Sequence, residues 1–353
     1  MSFPKRFVHA SEWADVLICH LRRHLAPPPE FASLLARSVL RHLDSAMLVE
    51  DGFTPFREPP PATTQYPLPS LHCLPALEAA ICGTEEEGFG AHFHRLIGLF
   101  GHIMLTLSGT ESQNADVQAW VQAGLRGAFL MTDRGGPSLA SWMSELRIED
   151  GTWHVNVDKA WSISAHDCGF AIIIVRRPGT MVPAALLLPP EACAQLTRTP
   201  IGLPYLDGAL QLGNCKGHVA GGACWGLTRG GLIAVKQFLT MVRPRFVRAL
   251  MAHVHWLAKD HRVVLSAIHI EAMAYLSELA RLLGERHILT RFSEDEVMAL
   301  KFASNTLLLD LVESGAVARA MDERDLLGFT KMEGSSYRCF YEIYSRNKGL
   351  RDG

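Results

Sequence analysis

The sequence predicts an α+β protein of three modules: an N-terminal α-helical domain over 1–127, a central antiparallel β-barrel-like domain over 128–226, and a C-terminal four-helix bundle over 227–353. Three observations carry that expectation. The stretch 128–177 reads as strands, while the sequence on both sides reads helical. Its turns are strand turns: Asp133-Arg134-Gly135-Gly136-Pro137 breaks regular structure after an apolar run, and Glu149-Asp150-Gly151-Thr152 sits where a hairpin needs a positive φ. Trp153, Val155 and Val157 alternate with His154, Asn156 and Asp158, the period of a half-buried strand, and Ala171-Ile172-Ile173-Ile174-Val175 is a β-branched run suited to burial on both faces.

Before this stretch, residues 8–48 read as two helices broken by Pro27-Pro28-Pro29. Phe31, Leu34, Leu35, Val39, Leu40 and Leu43 make the stripe of the second. The Pro-rich segment 53–70 has no period and reads as a loop. Residues 71–82 and 89–107 are apolar and helical. Residues 110–123 read as a short helix with Thr110 as cap and Gln113 three residues on. After the stretch, 178–220 reads as further strands and turns. Helical segments then fall at 231–241, 245–260, 263–284 and 293–320, with a final helix after Gly334.

The 353 residues suffice for two or three modules with proper cores. Hydrophobic residues at 48% and charged residues at 20% mark a globular chain. A net charge of −2 argues against a nucleic-acid binder working through bulk charge. No apolar run approaches the ~20 residues of a membrane helix, and the first residues resemble neither a signal core nor a transit peptide, so the expectation is cytoplasmic. Of the eight cysteines, none forms a C-x-x-C pair, which reads as reduced, mostly buried thiols. His253 and His255, two apart on a helix, diverge, and no metal site is expected.

Several short motifs then fall in order. Gly109-Thr110-Glu111-Ser112-Gln113 precedes Gly124-Leu125-Arg126-Gly127-Ala128-Phe129-Leu130-Met131-Thr132-Asp133, which runs into Arg134-Gly135-Gly136-Pro137-Ser138-Leu139. Asn156-Val157-Asp158-Lys159-Ala160-Trp161-Ser162-Ile163 follows, then a helix ending in Arg243-Pro244, then Lys331-Met332-Glu333-Gly334-Ser335-Ser336-Tyr337-Arg338. In order and spacing these resemble G-T-E-x-Q-K, T-E-P-x-x-G-S-D, N-G-x-K-x-W-I-T, an R-P helix end and Y-E-G-T-x-x-I-Q of the acyl-CoA dehydrogenase family.

The resemblance implies FAD-dependent oxidation of the Cα–Cβ bond of an acyl thioester, in fatty acid or secondary metabolism. A base removes the α-proton, a hydride leaves Cβ for the flavin, and donors stabilise the thioester oxygen. Glu333 matches the base, with its N–H as oxyanion donor, and Arg243 matches an Arg beside the active site. Met131, Thr132, Ser138 and Trp161 match flavin-facing positions, as do Ser162, Ile163, Ser335 and Tyr337. Read from the residues alone, other roles stay open. Glu333 can be a helix-start carboxylate, Thr132 and Ser138 can cap local backbone, Trp161 can pack in a core, and Arg243 can be a solvated helix residue. Arg245 and Arg248 can form a patch for CoA phosphates or an acidic carrier protein. The implied partners are an acyl-CoA or acyl-carrier-protein substrate and a homo- or hetero-oligomer, dimer or tetramer.

Three departures bear on the cofactor. The R-x-x-F-G that grips the flavin pyrophosphate in the family is reduced to Asp260-His261-Arg262-Val263-Val264, without F-G. The Q-x-x-G-G-x-G-Y of the adenine end is reduced to Val312-Glu313-Ser314-Gly315-Ala316-Val317-Ala318-Arg319. Ile163 replaces the W-I-T threonine and Leu139 the loop aspartate. The first two losses fall on the adenosine-diphosphate half of FAD. They leave open a flavoenzyme with an altered grip, one half of a hetero-oligomer whose partner completes the site, and a flavin-free relative that binds an acyl thioester or does proton or lyase chemistry only.

Overall fold

The computed structural model describes residues 66–67, 70–136, 138–286, 288–289, 291–332 and 339. The helices expected over 8–48 and after Gly334, and most of the Pro-rich loop, lie outside the described residues. In chain order the elements are β1 (Tyr66–Pro67), α1 (Leu74–Glu87), α2 (Gly90–Ser108), α3 (Glu111–Gln122), β2 (Gly127–Leu130), β3 (Glu145–Glu149), β4 (Thr152–Ile163), β5 (Phe170–Val175), β6 (Ala184–Leu188), β7 (Thr197–Tyr205), β8 (Leu210–Gly221), α4 (Gly231–Lys259), α5 (Ala267–Gly284), β9 (Ile288–Leu289), α6 (Arg291–Glu313) and α7 (Ala320–Phe329). Two compact units result. The β unit takes Pro69–Ala80 and Gly90–Phe238. The helical unit takes β1, Ile81–Phe89 and the described residues from Leu239 onward.

The β unit packs a three-stranded sheet, order β2-β5-β6, on a four-stranded one, order β3-β4-β8-β7. All pairs are antiparallel except β2–β5, which is parallel because the β3–β4 hairpin intervenes in the chain between them. Among the described residues the two sheets stay separate and close no barrel. The predicted hairpin forms with both central residues at positive φ, Asp150 at 47° and Gly151 at 79°. Every residue of β5 is buried, as its β-branched run predicts. The core sets Val155, Val157 and Val219 against Ile173, Val175 and Leu186. Cys168, Cys193 and Cys215 are buried together in that core, the Cys168 thiol donating to the Ala165 carbonyl at 3.5 Å, and none of the seven described cysteines is in a disulfide. Thr110 and Gln113 make the capping box of α3, and the Gln113 amide also donates to the carbonyls of Cys224 (2.8 Å) and Gly226 (3.1 Å).

The helical unit corrects four expectations. The break expected at Arg243-Pro244 does not occur: α4 is one helix of 29 residues with Pro244 inside it. Val242, Phe246, Val247 and Leu250 are all fully buried, and that burial outweighs the loss of one amide. Helix α5 starts at Ala267 under a Ser266–His269 capping box, not at 263. The helix read over 293–320 stops at Glu313, where Gly315 turns the chain at φ 71°, and α7 is a helix the periodicity did not announce. Tyr66–Pro67, read as loop, pairs antiparallel with Ile288–Leu289. At Gly88 (φ 75°) a Cβ would come within 2.6 Å of the Trp256 ring, so only glycine fits there. Beside it Phe89 packs against Phe246, His253 and Phe329. His253 is thereby absorbed into the core, its Nδ1 accepting the Phe89 amide at 3.2 Å.

Candidate functional site

The chain leaves β2 at Leu130 and lies down along β4. The carbonyl of Thr132 accepts from the Ala160 amide at 3.0 Å, and the amide of Arg134 donates to the Asp158 carbonyl at 3.1 Å. This sets Met131 and Thr132 beside the segment that carries Trp161. Thr132 is exposed and Met131 half-buried. Ser138, also exposed, heads a single turn over Leu139–Ser141; its carbonyl accepts from Ser141, while its own hydroxyl makes no capping bond. The local-capping role for Ser138 is therefore not what the structure displays.

The register of β4 on β8 shifts between Lys159 and Ser162, and in that bulge Trp161 takes φ 56°. A non-glycine residue in the left-handed region costs on the order of 1 kcal/mol. The bulge turns the indole outward: Trp161 is 61% exposed between Ala160 and Ser162, both 5% exposed. The core-packing role considered for Trp161 is overturned. The Ser162 hydroxyl turns inward and donates to the Ala160 carbonyl at 3.3 Å, so it does not replace the hydroxyl lost at half-buried Ile163.

Beneath this segment lies an arrangement that periodicity could not announce. Lys159 and Asp133 form an ion pair at 3.2 Å with both side chains fully buried. The Asp133 carboxylate also accepts the amides of Gly135 (2.9 Å), Met143 (2.7 Å) and Ser144 (3.0 Å). Burial alone would raise its pKa, but the hydrogen bonds from Ser144, Met143 and Gly135 and the Lys159 charge together hold it below the usual carboxylate value. Lys159 donates to the Met131 carbonyl at 3.2 Å and sits 4.4 Å over the Trp142 ring. Burial brings its pKa down to about 8, against the opposing pull of Asp133. The one signal in the sequence was a lysine two residues before the tryptophan in a motif.

In the helical unit Arg243 is buried on α4, so it is not a solvated helix residue. The phosphate-patch idea fails for Arg245, which is buried and donates to the carbonyls of Met241 and Gly284, each at 2.7 Å. Fully buried Lys301 and Asn305 on α6 reach the carbonyls of Phe329 and Thr330 at the end of α7, both at 3.1 Å. Glu333, Ser335 and Tyr337 lie outside the described residues.

The two loops that depart from the family's cofactor motifs are tied to each other. Val263 and Val317 bridge, the Val264 amide donates to the Ala316 carbonyl, and the Ala318 amide donates to the Arg262 carbonyl, both at 2.8 Å. The buried Arg262 guanidinium grips Asp322 through two nitrogens, Nε at 2.8 Å, and lies over the Trp256 ring. The Arg262 guanidinium is thereby turned onto Asp322, while Val264 in the same loop is exposed. A surface basin of about 420 Å³, lined among others by Glu145, Arg147, His154 and His218, contains none of the sequence-predicted site residues. Among the described residues no cluster of His, Cys, Asp and Glu suits a metal ion, and no helix is long and apolar enough to cross a membrane.

No family model matches the sequence, and no curated protein matches it either. Solved structures do match over nearly the whole chain. A glutaryl-CoA dehydrogenase from Mycobacterium smegmatis in complex with FADH2 is similar at a TM-score of 0.58 and 14% identity, over 97% of this chain and 95% of that one. The prolyl acyl carrier protein oxidase AnaB is similar at 0.58 and 11%, over 96% and 98%. TdsC from Paenibacillus sp. A11-2, bound to FMN and indole, is similar at 0.57 and 13%, over 98% and 96%. These likenesses show the fold: the chain has the acyl-CoA dehydrogenase fold, with its mixed helical and sheet architecture.

Proposed function

We propose that this protein is a flavin-dependent oxidoreductase that oxidises the Cα–Cβ bond of an acyl thioester, carried on CoA or on a carrier protein. The single observation behind the reading is Trp161, a large apolar ring pushed out of a strand at the cost of backbone strain, beside a loop whose exposed Thr132 and Ser138 hydroxyls are available to a polar ring edge. A flat apolar face next to hydroxyls suits an isoalloxazine ring. A bound flavin supplies the acceptor for the hydride that leaves Cβ. In this reading Glu333 removes the α-proton, its backbone N–H and the loop through Ser335 and Tyr337 steady the thioester and the flavin, and Arg243 supports the site. Met131, Ser162 and Ile163 complete the flavin-side backbone. The three-module division at 127 and 226, a cytoplasmic setting and an oligomer are parts of the same proposal.

The inward-turned Arg262 and the bridged loops support a second reading, in which this chain alone gives the adenosine-diphosphate half of FAD no grip. FMN then binds as well as FAD, or a partner chain completes the site, or the protein is a flavin-free thioester binder. One experiment separates these outcomes: the visible spectrum of the purified protein, followed by titration with FMN and with FAD. Uptake of both with equal affinity supports the flavoenzyme held at its ring end. Uptake of neither, alone or with a co-expressed partner, sinks the oxidoreductase reading.

A further inference from the structure

We infer that Asp133 and Lys159 are a positioning pair: they fix the loop 131–136 against β4 so that Thr132 and Trp161 present one edge to a flavin. The inference rests on the flavin reading above and extends it to two residues that touch no flavin themselves.

Lys159 is the last residue of β4 before the register shifts, and Asp133 bridges to it through the backbone as well as through the side chain. The ammonium, carried on β4, holds that loop at two points, the Met131 carbonyl and the Asp133 carboxylate. Asp133 in turn takes amides from residues ten and eleven positions on, closing the loop that contains Ser138. Each contact is directional. Apolar side chains of the same volume would fill this space equally well, and buried ion pairs rarely add stability over such a replacement. What the charged pair adds is a single permitted arrangement: slipping the loop by one residue would strand a charge in the core. The strained φ of Trp161, two residues on, needs such a clamp to persist.

The groups facing Lys159 are Asp133, the Met131 carbonyl and the Trp142 ring. Its pKa of about 8 lies below the ordinary 10.5, with burial the larger cause. Between those values the unfolded chain keeps a proton that the folded chain has shed, so this site makes folding more favourable as pH rises there. A role in presenting the flavin edge predicts the opposite trend for binding: affinity falls as Lys159 loses its charge.

The test titrates wild type and the double variant Asp133→Asn/Lys159→Met with FMN and FAD, following flavin fluorescence on both sides of pH 8, with thermal melting alongside. The double variant leaves no buried charge behind. The expected result is wild-type affinity that falls through about pH 8 while this site's contribution to the melting temperature does not fall. The double variant melts below the wild type, because an amide at 133 has one oxygen for the three backbone amides that the carboxylate accepts; it binds flavin about tenfold more weakly and has no pH step. A double variant with wild-type affinity and spectrum overturns the pair's role and leaves the flavin reading standing. If the double variant does not fold, the single variant Lys159→Met is titrated in its place, and wild-type flavin affinity there overturns the role. A wild type that takes up neither flavin, alone or with a co-expressed partner, sinks the function and the pair's role together.

Discussion

Each unit of the molecule holds one loop in place with a buried acid–base pair, and the two pairs do opposite things. In the β unit, Asp133 and Lys159 clamp a loop so that the neighbouring Trp161 stays outside. In the helical unit, Asp322 takes the fork of Arg262, whose indole neighbour Trp256 lies beneath it, and the loop on Arg262 is stitched to the loop on Val317. The first pair opens a surface; the second withdraws one. A lysine is a point charge that can serve a carbonyl and a carboxylate at once, whereas an arginine fork matched to one carboxylate has little left to offer a phosphate. The same device therefore supports a site in one place and removes one in another, which is why a motif arginine alone is poor grounds for assigning a phosphate contact.

The sharpest way to break this contrast is kinetic. If Glu333 is the base, Glu333→Gln lowers turnover of an acyl thioester by about 10²–10⁴-fold while flavin content stays at the wild-type level. Turnover that survives the change removes Glu333 as base. The next effect is on stability. Asp322→Ala leaves Arg262 as a buried cation without its main acceptor, and we expect a loss of about 3–5 kcal/mol in urea unfolding. A loss below about 1 kcal/mol would mean that water or another acceptor already serves Arg262, reopening it to a phosphate. With Asp322 in place we expect FMN and FAD to bind equally well; a strong preference for FAD would show that these loops still serve the adenine end.

The fold was readable wherever a local rule had no competitor. The Asp150-Gly151 turn, the β5 run and the Thr110–Gln113 cap each follow from adjacent residues, and each forms as expected. The boundaries failed where burial or a distant partner decided. Pro244 reads as a break, yet buried neighbours carry α4 through it, and the apolar residues after Gly315 continue a helical period that the turn interrupts. The site followed the same division. Trp161 could be picked out by motif, but its exposure could not, because it depends on a register shift against β8. The pairing of Asp133 with Lys159, 26 residues apart, left no trace beyond the motif lysine itself.

The smallest effect is also the most specific to Trp161. Its φ of 56° is one that glycine adopts freely and tryptophan does not. Because the indole is largely exposed, removing it forfeits little buried area. Trp161→Gly should therefore leave the fold intact and raise its stability by less than about 1 kcal/mol, through relief of the left-handed strain. The extra backbone freedom of glycine in the unfolded chain works against part of that gain. Flavin affinity should fall in the same variant. Opposite signs for stability and binding are what a residue held in strain for a ligand requires. A loss of stability of several kcal/mol would instead mean that the indole packs in solution and that the bulge is not a presentation device.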